Sequence, residues 1–254
     1  MQRINRIRFI ALFALSCLLA NRISPTLASD VLIAVASNFT EPAIEIGEQF
    51  KKATGFDASF SFASSGQLYA QVSQGAPFHV FLSADQNRPT RAIEEGLAVI
   101  GSQFTYAFGQ LVLYSPDPDR VHGESTFDNL FTGRLAIANP TTAPYGSAGL
   151  EVLSNMNVLG KLRDRLVRGN NIAQVYQFVE TGNVSAGFVA LSQVVNHQHG
   201  SRWIVPRKLY SPIAQDAVLL ESGARNLAAM AFMKYLKTED AKSVMARYGY
   251  TNVP

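Results

Sequence analysis

The sequence predicts an α/β protein of two lobes, each built on a mainly parallel sheet flanked by helices. Continuous apolar runs at 31–36 and 135–138 are typical of strands buried on both faces, as in parallel sheets. Helix-type apolar periodicity follows each run, and repeated β–α units of this length place helices on both faces of a sheet. Long apolar runs at 104–114 and 210–220 predict two hinge crossings that join the lobes.

The first 28 residues predict a signal peptide rather than a part of the fold. Three arginines within the first eight residues precede an apolar run at 9–20, and Thr26-Leu27-Ala28 offers the small residues that a signal peptidase reads. The run is too short for a membrane span. We therefore expect cleavage near Ala28 and a periplasmic location.

Composition excludes several classes of function. The single cysteine, Cys17, lies inside the predicted signal, so we expect no disulfide and no cysteine-based catalysis, and its context does not favour a lipid anchor. Residues 1–28 hold four of the 22 basic residues and no acid, which leaves 18 basic against 19 acidic residues and a mature net charge of −1. A nucleic-acid partner thus has no compositional support.

The predicted first lobe combines residues 29–110 with 213–254, and the second lobe is 111–212. The elements of the first lobe are strands at 31–36, 58–62 and 80–83, a helix at 89–95, helices that end at Gly55 and Gly75, and two final helices at 224–236 and 239–248. Those of the second lobe are strands at 135–138, 186–190 and 202–206, and helices at 147–159 and from 172 to Gly182.

Four strand-to-helix corners carry small hydroxyl or amide side chains and no cation. They are Ser37-Asn38, Ser64-Ser65-Gly66, Pro144-Tyr145-Gly146-Ser147 and Asn171-Ile172. The first N–H groups of a helix have no partner inside it, and the helix dipole adds partial positive charge, so such corners bind anions. For a serine or asparagine taken alone, an N-cap is the simpler interpretation. Together, the corners predict a donor-rich, formally neutral site suited to a dehydrated tetrahedral dianion.

Several motifs, in a fixed order, carry a resemblance to a known family. They are Ala34-Val35-Ala36-Ser37-Asn38-Phe39-Thr40, Phe62-Ala63-Ser64-Ser65-Gly66-Gln67-Leu68, Gly75-Ala76-Pro77 with Ser83-Ala84-Asp85-Gln86, and Gly133-Arg134-Leu135-Ala136-Ile137-Ala138-Asn139-Pro140. The chain resembles the periplasmic molybdate-binding proteins of ABC importers from about Asp30 to Tyr250. This resemblance implies the type II periplasmic binding protein fold and a monomer without a cofactor. Such a protein holds molybdate or tungstate between its lobes and delivers it to a membrane permease.

The resemblance also implies which residues hold the anion. They are Ser37 and Ser65 through hydroxyl and amide, and Tyr145 and Ile172 through their amides. Many members add a tyrosine hydroxyl from the end of a later strand, where this chain has Ala190. Asn38 resembles the substitute used by another branch, and we expect it to supply the missing contact.

Two other functions remain open from the sequence. A carrier of the same fold could bind sulfate, thiosulfate or another oxyanion, because cavity size separates these from molybdate. A hydrolase could use Ser37 or Ser65 as nucleophile, but the chain has no G-x-S-x-G motif and no histidine placed by a motif near either serine.

Two further features have simple interpretations. Asp85 ends a strand near the predicted cleft, and we expect it to pair with a backbone amide or a hinge residue because a free carboxylate would repel a dianion. His197 and His199 lie in a polar loop, where solvation is a simpler expectation than a metal site.

Overall fold

The computed structural model describes residues 30–127 and 132–251, which form two five-stranded sheets. The predicted signal at 1–28, with Cys17, lies outside the described residues. The strands are β1 (Val31–Ala36), β2 (Ala58–Ala63), β3 (Val80–Leu82), β4 (Phe104–Gly109), β5 (Leu111–Ser115), β6 (Leu135–Ala138), β7 (Leu166–Gly169), β8 (Ala186–Ala190), β9 (Ser201–Ile204) and β10 (Ile213–Leu219). The helices are α1 (Thr40–Thr54), α2 (Ser65–Ser73), α3 (Asn87–Glu94), α4 (Pro144–Asn155), α5 (Leu159–Leu162), α6 (Ile172–Glu180), α7 (Leu191–Val194), α8 (Leu227–Tyr235) and α9 (Glu239–Arg247). Among the described residues, no helix has the length and apolarity needed to cross a bilayer.

Both sheets are mainly parallel, as predicted. The first has the order β2-β1-β3-β10-β4, in which β10 is antiparallel to the other four strands. The second has the order β7-β6-β8-β5-β9, in which β5 is antiparallel to the other four strands. Two mixed sheets flanked by helices give the two-lobed type II architecture.

The chain crosses between the sheets twice. The apolar run at 104–114, which predicts a hinge crossing, forms two strands that Gln110 separates: β4 of the first sheet and β5 of the second. The return crossing is residues 205–212, between β9 and β10. The Gln110 side-chain amide donates to the Gly249 carbonyl at 3.0 Å, which fixes the crossing against the C-terminal segment.

Some element boundaries differ from the sequence prediction. Helix α4 begins at Pro144 rather than 147, because proline at the first helical position has the right φ and lacks only an N–H that would be unpaired there. It ends at Asn155, and Asn157 follows with a left-handed φ of 58°. Strand β7 was not predicted from the sequence at all.

Apolar packing on each sheet holds the helices that start at the cleft. In the first lobe, α1 buries Ile46 and Phe50, and the Phe50 ring meets that of Phe232 edge to face at 5.2 Å between centroids. In the second lobe, α6 buries Val175 and Val179, and the Cβ-free Gly187 of β8 lets Val179 approach the sheet. The helix N-termini are therefore fixed relative to the strand ends that precede them.

Candidate anion-binding site between the lobes

The four predicted corners meet at one small pocket between the lobes. Ser37, Asn38 and Ser65 line it from the first lobe, and Tyr145 and Ile172 line it from the second. All five side chains are buried, with at most 5% of each residue exposed. The cavity has about 190 Å³ of empty space, including the part open to solvent. Two larger grooves adjoin it.

Strand register explains why distant corners converge. Strands β1 and β2 are parallel with Ala36 opposite Ala63, so the turns after them leave the same edge of the first sheet. Strands β6 and β7 are parallel with Ala138 opposite Gly169, which does the same in the second sheet. Ligands of open α/β sheets bind at such carboxyl edges.

The two serines at the start of α2 have different roles. Ser64 is the N-cap: its hydroxyl accepts from Gln67 N–H at 3.4 Å, and the Gln67 side-chain oxygen accepts from Ser64 N–H at 3.2 Å. Ser65 is the first helical residue, and its hydroxyl oxygen accepts from Ala84 N–H at 2.9 Å. The capping interpretation therefore applies to Ser64, and the Ser65 hydroxyl proton stays available for a ligand.

Backbone donors of the corners are also available. Ser37, Ser65, Tyr145 and Ile172 each occupy the first turn of a helix, where N–H groups have no acceptor in their own helix. Among the described residues, no other backbone acceptor is found for these four amides. Asn171 caps α6 by accepting from Gln174 N–H at 2.9 Å, as predicted, which leaves the Ile172 amide free at the helix start.

Asn38 uses its side chain and its backbone differently. It lines the pocket, but its side-chain nitrogen donates to Gln215 Oε1 and to the Tyr250 hydroxyl, both at 2.9 Å. Both amide hydrogens are thus used inside the protein. The expectation that Asn38 supplies the missing contact therefore rests on its backbone N–H, which lies in the first turn of the 3₁₀ helix Ser37–Phe39.

A buried polar network lies behind Asn38. The Tyr250 hydroxyl donates to Asn38 O at 2.7 Å, and the Ser192 hydroxyl of the second lobe donates to the same carbonyl at 2.7 Å. The Tyr106 hydroxyl donates to Gln215 Oε1 at 3.0 Å. Burial raises the pKa of Tyr250 to about 12 and the pKa of Tyr106 well above its usual range, so both remain neutral donors at physiological pH. The network ties the Ser37-Asn38 corner to the hinge.

Tyr145 contributes to the hinge as well as to the pocket. Its hydroxyl accepts from Gln215 Nε2 at 3.4 Å, and a Cβ built on Gly109 would lie 2.1 Å from that hydroxyl. Glycine at the end of β4 is therefore required for the ring to lie there. Burial raises the pKa of Tyr145 well above its usual range, so it too stays neutral.

Direct contacts hold the lobes together at the pocket rim. Gly66 N–H donates to Thr142 O at 2.8 Å, and the Arg88 guanidinium donates to Thr141 O at 3.0 Å. Arg88 also forms an ion pair with Asp85, whose carboxylate accepts from the Arg88 backbone N–H at 2.9 Å. The expectation that Asp85 pairs with a backbone amide is confirmed.

Among the described residues, no lysine or arginine lines the pocket.

Ala190 is fully buried at the end of β8, and its N–H donates to Gln193 Oε1 at 2.9 Å.

The expectation that both histidines are solvated is wrong for His197. Its side chain is 20% exposed, and its two ring nitrogens lie 3.2 Å from the Tyr114 and Tyr176 hydroxyls.

Sequence reasoning missed Gln215, Tyr250 and Tyr106. A signal was present for the first, because Gln215-Asp216 interrupts an otherwise apolar strand, and polar residues in such a run need buried partners. Tyr250 and Tyr106 had no comparable signal.

The fold and the pocket define the class: a two-lobed solute-binding protein with a donor-lined site between its lobes. The chain belongs to the bacterial extracellular solute-binding protein family, whose model matches residues 31–251. It is 51% identical over 226 residues to the molybdate-binding protein ModA of Rhodobacter capsulatus, covering 89% of this chain and 90% of that one. It is 47% identical over 228 residues to ModA of Azotobacter vinelandii, covering 88% and 90%. The solved periplasmic molybdate-binding protein of A. vinelandii superposes with a TM-score of 0.85 at 37% identity, covering 88% of this chain and 99% of that one.

Proposed function

We propose that this protein binds molybdate in the pocket between its lobes and is the solute-binding component of an ABC importer. The observation that carries the proposal is the set of first-turn amides and a free serine proton that line one pocket without a cation. Relatives at about half identity over nine tenths of the chain, named as molybdate-binding proteins, support the same ligand.

The proposed ligand set is Ser37, Asn38, Ser65, Tyr145 and Ile172. Ser37 and Ser65 donate through hydroxyl and amide, and the other three donate through their backbone N–H groups. Each hydrogen bond to a charged acceptor contributes about 1.5–3 kcal/mol net. Five to seven such bonds would give submicromolar binding after the costs of desolvation and ordering, and the absence of a counter-charge keeps release possible.

Selectivity follows from the donor-only character of the site. Phosphate near neutral pH keeps a proton that needs an acceptor, and a pocket of N–H and O–H donors would leave that proton unpaired. Sulfate satisfies the same donors but has shorter bonds to its oxygens, so it reaches fewer of them at once. Tungstate has the same charge and shape as molybdate, and we expect it to bind as well.

The proposed mechanism is closure of two lobes, residues 29–110 with 213–254 and residues 111–212, around a dehydrated anion. The contacts from Gly66 and Arg88 to the 141–142 backbone form when the lobes meet. We propose that the closed monomer, exported after removal of 1–28, docks on a membrane permease and needs no cofactor.

Isothermal titration of the purified protein with molybdate, tungstate and sulfate tests the proposal. We expect one high-affinity site for the first two anions and far weaker binding of sulfate, with Ser37→Ala weakening molybdate binding. Sulfate binding as tight as molybdate binding would contradict the assignment. Hydrolysis of ester or phosphate substrates that is lost in Ser37→Ala or Ser65→Ala would favour an enzyme instead.

A further inference from the structure

We propose that the second lobe carries a site for a divalent transition-metal ion, formed by Glu180, His197 and His199. Each residue offers one ligand atom, and the three atoms lie within 4.8 Å of one another. Glu180 Oε1 is 3.9 Å from His197 Nδ1. Ligand atoms about 2.0–2.2 Å from a tetrahedral zinc ion are roughly 3.4 Å apart, so small side-chain movements would complete the site. None of the three lines the anion pocket, so the site is independent of the proposed molybdate binding.

The fold brings these residues together from two elements. Glu180 is the last residue of α6, and the histidines follow α7 in the loop before β9. The two imidazoles stack with centroids 5.0 Å apart and planes at 18°, and each has a nitrogen within 4.8 Å of a Glu180 carboxylate oxygen at the end of α6. A helix C-terminus carries partial negative charge, which favours a cation at this position.

The carboxylate of Glu180 has an unmet requirement that a metal would satisfy. Its Oε1 is buried and makes no hydrogen bond of normal geometry among the described residues, although the Tyr114 hydroxyl lies close enough for the carboxylate to raise the pKa of Tyr114. A buried carboxylate oxygen without a partner is costly, and native structures rarely keep one without a reason such as an ion. A cation between Glu180 and His197 supplies the partner.

His197 is prepared to act as a ligand. If Nε2–H donates to the Tyr176 hydroxyl, 3.2 Å away, then Nδ1 is the unprotonated nitrogen. Nδ1 faces Glu180 Oε1 and also lies 3.2 Å from the Tyr114 hydroxyl, a contact that a bound metal would replace. A hydrogen bond from the second ring nitrogen, here to Tyr176, is the usual way in which proteins orient a ligating histidine.

The donor set selects the class of metal. Two imidazoles and one carboxylate with an open fourth position suit Zn²⁺, Ni²⁺ or Cu²⁺, whereas Mg²⁺ and Ca²⁺ prefer oxygen ligands alone. The Arg202 guanidinium is held nearby on Val194 O, and its charge reduces the attraction for a cation. We therefore expect affinity for zinc in the micromolar range.

Titration with zinc tests the proposal on protein purified without a polyhistidine tag and freed of metal by a chelator. We expect one zinc ion per chain, no binding of Mg²⁺, and a higher melting temperature with zinc. His199→Ala and Glu180→Gln should each weaken zinc binding at least about tenfold. His122→Ala is the matched control, because it removes a histidine of the same lobe outside the cluster, and it should bind zinc like the wild type.

Circular dichroism shows whether each variant is folded, and His199 is exposed, so its replacement leaves the core intact. Zinc affinity unchanged in both His199→Ala and Glu180→Gln would overturn the proposal. Absence of a one-to-one zinc complex in the wild type would overturn it equally.

Discussion

The Ser65 hydroxyl accepts a hydrogen bond from the Ala84 backbone N–H at 2.9 Å. Both residues belong to the first lobe, so the bond fixes the hydroxyl before the lobes meet. Because the oxygen is already an acceptor, its proton is directed to whatever lies in the pocket. A donor held in advance loses little conformational entropy when the anion arrives.

Replacing Ser65 by alanine should weaken molybdate binding by roughly 10- to 100-fold, because a hydrogen bond to a charged acceptor contributes about 1.5–3 kcal/mol. The Ala84 N–H also loses its acceptor in a buried position, which lowers the free energy of unfolding by about 1–3 kcal/mol. Isothermal titration and chemical denaturation measure the two effects separately.

Ser64→Ala is the matched control at the neighbouring position. Loss of the N-cap of α2 lowers the free energy of unfolding by about 0.5–2 kcal/mol, while the pocket keeps all its proposed donors. Equal losses of molybdate affinity in Ser64→Ala and Ser65→Ala would show that the corner acts through its shape rather than through the Ser65 proton.

Gly66→Ala should prevent full closure of the lobes. A Cβ at this position would lie 2.9 Å from the Thr142 Cα of the opposite lobe and 3.0 Å from the Arg88 guanidinium. The backbone contact cannot be relieved by a side-chain rotation, so the Gly66 N–H bond to Thr142 O must lengthen. We expect molybdate affinity at least about tenfold lower, since one 1.4 kcal/mol step is tenfold.

Gly160→Ala is the control for this glycine, because nothing lies within 4 Å of its Cβ and its φ is not positive. It should bind molybdate like the wild type. Small-angle scattering should show less compaction on ligand addition for Gly66→Ala, and a wild-type response of that variant would disprove the closure argument.

The corners of the site were predictable because their signals are local. Buried strands, helix periodicity and a cap such as Asn171 are read from adjacent residues, and the carboxyl ends of parallel strands share one edge. For this reason, all five predicted residues line the same pocket. The predicted lobes also meet at 110/111, but the division of the run into two strands at Gln110 was not predictable, because the apolar pattern continues through it and the sheet partners of β4 and β5 decide where the strand divides.

The role of the Asn38 side chain could not be predicted for a different reason. Its acceptors, Gln215 and Tyr250, are 177 and 212 residues away along the chain, and no local pattern relates them. The resemblance implies a contact between Asn38 and the ligand, and the tertiary contacts, which use both amide hydrogens inside the protein, leave the backbone N–H to make it.

Tyr250→Phe should weaken the Ser37-Asn38 corner while preserving the packing of the ring. The variant keeps the edge-to-face contact with Phe39, at 5.2 Å between centroids, but removes the donor to Asn38 O and an acceptor of its side-chain amide. We expect the free energy of unfolding to fall by about 1–3 kcal/mol. Molybdate binding should weaken several-fold, because the Asn38 backbone is no longer held.

Tyr235→Phe is the control for Tyr250→Phe, because this buried tyrosine of α8 makes no hydroxyl hydrogen bond among the described residues. It should change neither stability nor molybdate affinity appreciably. If both variants behave alike, the network behind Asn38 does not support the pocket.

The buried tyrosines predict how the protein responds to alkaline pH. Burial raises the pKa of Tyr250 to about 12, and the pKa values of Tyr106 and Tyr145 lie well above their usual range. In the unfolded chain these groups lose a proton near pH 10, whereas the folded protein retains it. The unfolded state therefore binds fewer protons above about pH 10, and the stability that is complete below that pH falls as the pH rises toward 12.

Molybdate affinity should consequently stay constant from neutral pH to about pH 9, because none of these donors ionises there. The melting temperature should decline steeply above about pH 10, and the decline should be shallower in Tyr250→Phe, which has one such group fewer. Thermal denaturation across this range, with titrations below pH 9, measures both. If the melting temperature does not decline between pH 10 and pH 12, the phenols ionise as readily in the folded protein as in the unfolded chain, and the network could not then hold Asn38 as neutral donors do.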